Sequence, residues 1–169
     1  MPDRTRGVPE RKRSDMTKKA DFNADEWATV VEGPLLAGMR VITAGRGGTL
    51  RESLAMGQTY AKARQAQGSS ELLDELVSAP PAMDPSRLRS AGDIASMSTE
   101  RLRHALQILQ RKASSDDVDA YKRFVLTLAQ EAANAHREGG FLGVGGQQVS
   151  ETEQDALDDI AATLEVTSS

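Results

Sequence analysis

A chain of 169 residues, 38% of them hydrophobic, is long enough to form one folded domain. It contains no cysteine, which excludes disulfides, thiolate zinc sites and thiol catalysis. Aromatic residues are few (one Trp, two Tyr and three Phe), so the core must be built from aliphatic side chains and Ala. We therefore predict an all-α fold, a compact bundle of about six to seven helices.

The net charge of −4 is unevenly distributed. Residues 1–19 contain seven Lys or Arg against three acids, a net +4, so the remaining 150 residues carry −8. An acidic body lacks the clustered cations that phosphate contacts need. We expect no nucleic-acid binding except a weak contact through the basic tail.

The N-terminal stretch 1–20 is basic, contains two prolines and has almost no apolar residues. Such a segment cannot bury enough surface to offset its ordering entropy, and we predict a disordered tail. Residues 21–166 are then a single helical domain. The apolar runs are far shorter than the ~20 residues of a membrane span, and no apolar stretch follows the charged N-terminus as in a secretory signal. We expect a cytoplasmic protein without membrane contact.

The domain is predicted to begin with a helix capped by Asn23, with Glu26 at capping-box spacing. Pro34 interrupts its apolar period. Pro34 indicates either a kink or the first position of a second helix, and the second interpretation is preferred because Gly33 is a natural stop. Trp27 is a candidate ligand-stacking or interaction residue, although a lone Trp on an apolar helical face is typical of a core.

The middle of the chain predicts a series of shorter helices, separated by Gly, Ser and Pro clusters. One is capped by Thr49, with Leu50, Leu54 and Ala61 facing inward. Others run over 70–77, from Asp84 to Gly92, and from Ser98 to about Lys112.

The best-specified helix is predicted from about Asp116 to Glu138. Its apolar residues follow three- and four-residue steps that place them on one helical face: Val118, Tyr121, Val125, Leu128, Ala132 and Ala135. The acids at its start are expected at a helix N-terminus and are not taken as metal ligands.

A glycine-rich turn follows at 139–146, and its glycines alternate with Phe141, Leu142 and Val144. A loop that needed only flexibility would carry Ser or Asn between its glycines. We predict an ordered hydrophobic hook whose apolar side chains either plug the core or contact a partner. A final acidic helix follows, opened by a Ser150–Glu153 capping box.

No pattern predicts a catalytic, cofactor-binding or metal-binding residue. The glycine turn lacks the carboxylates of a calcium loop, and Gly45-Arg46-Gly47-Gly48 lacks the Lys-Ser/Thr ending of a phosphate loop. His104 and His136 have no recognisable partners in sequence. We expect no enzymatic activity and no cofactor.

Two motifs, Glu-Gly-Pro-Leu-Leu-Ala-Gly at 32–38 and Glu-Gly-Gly-Phe-Leu-Gly-Val-Gly-Gly-x-x-Val-Ser-x-x-Glu at 138–153, resemble those of a family of small bacterial all-helical proteins without an assigned activity. The layout is also distantly similar to the tellurite-resistance TerB-like helical domains. That resemblance implies acidic metal-binding positions. Because no carboxylate lies between Gly139 and Val149, no metal ligand is carried over.

Two functional hypotheses follow. The first is a non-enzymatic protein-interaction or scaffold domain that binds an unknown protein partner or another copy of itself, through apolar residues around the glycine turn. The alternative is a small-ligand or stress-response module of the TerB-like kind, with a pocket between its helices.

Overall fold

The computed structural model describes residues 17–45, 49–68, 70–81, 91–138 and 149–166. Within these ranges the chain forms helices and no strand, which confirms the all-α prediction. A short 3-10 turn precedes six α-helices: Lys19–Asp21, then α1 Ala24–Ala44, α2 Thr49–Gln65, α3 Glu71–Ser78, α4 Ala91–Lys112, α5 Ser115–Glu138 and α6 Glu151–Val166. None of the described helices is both long and apolar enough to cross a bilayer.

Helix α1 lies at the centre of the bundle and packs most extensively on α4 and α5, and α6 contacts all three of these helices. Helix α2 packs along α5, and α3 contacts both of them. Tyr60 of α2 meets Phe124 of α5 edge to face, with ring centroids 5.2 Å apart. Ser70, just beyond α2, bonds Asp117 near the start of α5. Helices α2 and α5 therefore run in opposite directions.

The prediction of a new helix at Pro34 is wrong, because α1 continues through this proline to Ala44. A proline has no N–H, so the carbonyl of Val30, four residues earlier, loses its helical partner. The buried hydroxyl of Tyr121 on α5 donates to that carbonyl at 2.9 Å. A side chain 91 residues away thus satisfies the group that the proline leaves open.

The glycines at 33 and 38 make room for side chains of neighbouring helices. A Cβ at Gly33 would lie 2.3 Å from the Tyr121 hydroxyl, and one at Gly38 would lie 2.8 Å from Met56. Both distances are far inside van der Waals contact. The motif at 32–38 is therefore explained by packing around a proline-containing helix.

Two capping boxes predicted from local sequence are present, whereas Thr49, predicted as a cap, is the first residue of α2. Asn23 accepts from the Glu26 N–H at 2.9 Å, and Glu26 accepts from the Asn23 N–H at 2.9 Å. Ser150 and Glu153 form the same reciprocal pair at 2.9 and 3.3 Å. The two capping boxes begin α1 and α6 at the predicted residues.

Two boundary predictions in the middle of the chain are wrong. Helix α4 begins at Ala91, so Gly92 and Ser98 lie inside it; the predicted start at Asp84 lies outside the described residues. Ser98 is fully buried, and its hydroxyl bonds to no other described residue. A third prediction, that Leu54 of α2 faces inward, is also wrong, because its side chain is 62% exposed.

The tail predicted over 1–20 overlaps a packed segment that we call the N-terminal strap, residues 17–22. Residues 1–16 lie outside the described part of the chain. Thr17 is only 5% exposed, Lys18 pairs with Glu71 at 3.6 Å, and the Lys19 N–H donates to Glu75. The folded body therefore extends back to Thr17.

Candidate functional site

The residues predicted from the glycine turn, Phe141, Leu142 and Val144, lie outside the described residues. The fourth candidate, Trp27, is half-buried on the first turn of α1. Its ring lies 5.8 Å from that of Phe22, and the ammonium of Lys19 sits 5.7 Å above it. Trp27 therefore packs against the N-terminal strap.

A buried carboxylate joins the strap to two helix starts. Asp117 is 5% exposed and accepts from the hydroxyls of Ser70 at 2.7 Å and Ser114 at 2.8 Å, and from the Thr17 N–H at 3.4 Å. The Ser70 oxygen in turn accepts from the Leu73 N–H at 3.2 Å, which caps α3. Burial alone would raise the pKa of Asp117, but the hydrogen bonds from Ser70, Thr17 and Ser114 outweigh it and hold the pKa below its ordinary value.

Asp117, Thr17, Ser70 and Ser114, which we call the Asp117 cluster, are hydrogen-bonded to one another and connect separate parts of the fold. The Asp117 carboxylate accepts from three different parts of the chain, and the hydroxyl of Thr17 also accepts from the Ser114 N–H at 3.2 Å. An ionised carboxylate with several donors is stable without a cation. The polar groups that the structure describes in this cluster are paired with one another, so the cluster is a structural junction.

An open groove of about 350 Å³ runs between α2, α3 and α5. Small and apolar side chains form much of its wall, and charged side chains stand among them. The lining residues are Thr59, Lys62, Ala63, Ala66, Leu73, Asp74, Ala120, Arg123, Phe124, Thr127 and Glu131.

The groove exists because α5 places a small residue, Ala120, on the side that faces α2 and α3 outside the core. Tyr121 faces the interior and the buried Phe124 forms the floor of the groove, whereas Ala120, Arg123 and Thr127 follow one another along the groove at three- and four-residue steps. On α2, Ala63 and Ala66 are equally small. Short side chains on both facing helices leave the space between them unfilled.

Some polar side chains of the groove are hydrogen-bonded to described residues of the protein and others are not. The hydroxyls of Thr59 and Thr127 donate to carbonyls of their own helices at 2.9 and 2.8 Å. Asp74 accepts from the Gly68 N–H at 3.0 Å. The side chains of Lys62 and Arg123 are exposed and form no hydrogen bond or ion pair with any residue that the structure describes.

The described residues of the groove include cations, hydroxyls and apolar side chains, but no catalytic arrangement among them. Among the described residues no histidine lines the groove, and both of its hydroxyls donate to the backbone, so these residues form no nucleophile–base pair there. Over the described part of the chain, no group of three His, Cys, Asp or Glu side chains is placed to hold a metal ion. Tyr60, behind Phe124, is buried with a pKa raised well above its ordinary value by burial, so its hydroxyl stays neutral.

The sequence carried only a weak signal for the groove. A pocket between helices was predicted without residues, and Lys62 or Arg123 on a helix surface looks like any solvated side chain. The informative feature is the set of three alanines, Ala63, Ala66 and Ala120, on helices that pack together. No family model, curated protein or solved structure matches the chain.

Proposed function

We propose that this chain is a non-enzymatic small-ligand-binding domain whose site is the groove between α2, α3 and α5. The observation that supports the proposal is the groove itself, about 350 Å³ in volume with Lys62 and Arg123 unpaired on its rim. Small-molecule sites are concave, mostly apolar and fitted with a few polar groups, in volumes of roughly 300–1,000 Å³. The likeness to TerB-like domains stays a prediction and adds no residue to the site.

The distribution of apolar surface supports a small ligand over a protein partner. A protein interface needs a cluster of large apolar side chains at its centre. Among the described residues, Leu54 is the one large hydrophobic side chain that is well exposed. The protein-interaction hypothesis rests on Phe141 and Leu142, outside the described residues, and stays a prediction.

A blocked groove tests the proposal. Ala66 is exposed at the end of the groove, so Ala66→Trp should fill the space without entering the core. Ala162→Trp on the exposed face of α6 adds the same side chain elsewhere. A panel of anionic, cationic and neutral metabolites is screened by thermal shift, because a ligand that binds only the native state raises Tm.

At least one compound should raise Tm of the wild type and of Ala162→Trp, and not of Ala66→Trp. An equal shift in all three proteins would place the ligand outside the groove. If no compound in the panel changed Tm of the wild type, the proposed function would be rejected.

A further inference from the structure

We propose, on the basis of the proposed function, that the ligand of the groove is a small monocarboxylate with an apolar body. Lys62 and Arg123 hold the carboxylate, and the apolar body lies on the alanines and Leu73. The proposal depends on where the charged and apolar residues stand along the groove.

The two unpaired cations stand on opposite walls of the groove, at similar levels along it. Helices α2 and α5 are antiparallel, and Tyr60 opposes Phe124 at 5.2 Å between ring centroids. Lys62 is two residues after Tyr60 and Arg123 is one residue before Phe124, so both lie on the same side of that contact. An anion seated between them meets a cation from each wall.

The two acidic residues that line the groove, Asp74 and Glu131, lie towards its ends and not beside the two cations. Glu131 is eight residues beyond Arg123 on α5, which is about 12 Å along a helix. Asp74 lies on α3, at the opposite end, and its carboxylate already accepts from the Gly68 N–H. An acid at either end disfavours a second negative charge on the ligand. The groove therefore favours a single anionic group over a dianion such as a phosphate monoester.

The apolar part of the groove lies on the α3 side of the two cations. Ala66 is four residues beyond Lys62, and Ala120 is three residues before Arg123, so each lies one helical turn nearer to α3. Leu73 of α3 lines the same end. On the other side lies Phe124, and the rest of the lining there is polar: Thr59, Thr127 and Glu131. A ligand with its head between the cations thus directs its apolar body towards α3.

The test uses octanoate, with octylammonium as a probe of equal length and opposite charge. Binding to the full chain is measured by calorimetry or by chemical-shift titration, below the concentration at which either probe forms micelles. Octanoate should bind, more tightly than hexanoate and by about fourfold for each methylene that enters the groove. Octylammonium should bind more weakly than octanoate.

Charge-removing variants locate the head group. Lys62→Gln and Arg123→Gln should each weaken octanoate binding about two- to fivefold, as expected for exposed ion pairs, and the double variant about tenfold. The losses should shrink as salt is added. Arg103→Gln is the matched control, since Arg103 is exposed on α4, does not line the groove and has no side-chain partner among the described residues. It should bind octanoate as the wild type does.

Several outcomes would overturn the carboxylate assignment. Equal binding of octanoate to the wild type and to the double variant would show that the cations do not hold the head group. Tighter binding of octylammonium would reverse the sign of the ligand charge. If a neutral or cationic compound gives the Tm shift that Ala66→Trp abolishes and octanoate does not bind, the carboxylate assignment fails while the proposed function stands. If no compound binds at all, both fail.

Discussion

Helix α5 has an inner side that packs in the core and an outer side that lines the groove, and the two sides differ in whether their polar groups are hydrogen-bonded to described residues. On the inner side, Tyr121 is 1% exposed and its hydroxyl is bonded to the Val30 carbonyl beside Gly33. On the outer side, the groove wall begins with the short side chain of Ala120. The side chain of Arg123, on the same wall, has no partner among the described residues. The inner side is filled and paired, which is what stability needs. The outer side is open and leaves the Arg123 guanidinium without a partner among the described residues, as the proposed binding site requires.

The largest loss of stability should come from adding one methyl group at Gly33 of α1, which packs against the inner side of α5. In Gly33→Ala the new Cβ would overlap the Tyr121 hydroxyl at 2.3 Å and press on Leu102 at 3.3 Å. Overpacking of this kind costs about 3 kcal/mol of unfolding free energy, measured by urea denaturation.

Gly57→Ala is the matched control, because a Cβ at Gly57 of α2 meets nothing within 4 Å. It should stabilise the protein by up to about 1 kcal/mol, the difference in helix propensity. Similar unfolding free energies for the two variants would show that Gly33 is not a close-packing position.

The next largest effect should come from removing the hydroxyl that satisfies Val30. Tyr121→Phe leaves a buried carbonyl without its donor and should cost about 2 kcal/mol. In a Pro34→Ala background the N–H at position 34 can bond to the Val30 carbonyl again, so the same substitution should cost much less. A double-mutant cycle in urea measures this coupling, and strictly additive effects would contradict the assigned role of Tyr121.

A smaller effect, dependent on pH, is expected at the Asp117 cluster. Asp117→Asn keeps one acceptor oxygen and should cost about 1.5 kcal/mol at neutral pH, the lower range for hydrogen bonds to a charged group. Since the pKa of Asp117 is lowered in the folded protein, its contribution is complete above the ordinary carboxyl pKa. It is lost as the pH falls below about 4 towards the folded pKa.

The stability gap between wild type and Asp117→Asn should therefore narrow between about pH 5 and pH 2 in thermal unfolding. Asp119→Asn, an exposed acid two residues further along α5, serves as the control and should change stability little at any pH. A gap at Asp117 that stayed constant with pH would contradict the ionised hydrogen-bonded cluster.

The smallest effect on stability is expected on the outer side of α5. Because Lys62 and Arg123 contact no described partner, Lys62→Gln and Arg123→Gln should each change the unfolding free energy by less than about 0.5 kcal/mol. Urea denaturation in the absence of ligand checks this. A loss above about 1 kcal/mol would mean that these cations stabilise the fold, and the contrast between the two sides of α5 would disappear.

The features that sequence predicts well are those that depend on neighbours a few residues away. The capping boxes at Asn23 and Ser150 need only a partner three residues on, and both were predicted correctly. The apolar stripe of α5 is equally local, and its residues Tyr121, Val125 and Leu128 are buried. Local periodicity and capping chemistry were enough to recover the all-α class.

The failures have non-local causes. The sequence predicts a helix start at Pro34 because nothing near this residue in sequence compensates for its missing N–H; the compensation comes from the distant Tyr121. Ser98 carries a typical start signal, but α4 already runs from Ala91 and buries it. The groove depends on which alanines face each other across two helices, and that relation exists only after α2 has packed on α5.

The bond from Tyr121 to Val30 also has a consequence for how related sequences can vary. Gly33 provides the space, Pro34 creates the open carbonyl, and Tyr121 supplies the donor, so none of the three is useful without the others. A homologous chain that loses the proline no longer needs the hydroxyl, and one that gains a side chain at position 33 cannot keep the tyrosine in place. We therefore expect these positions, 33, 34 and 121, to be substituted together during evolution.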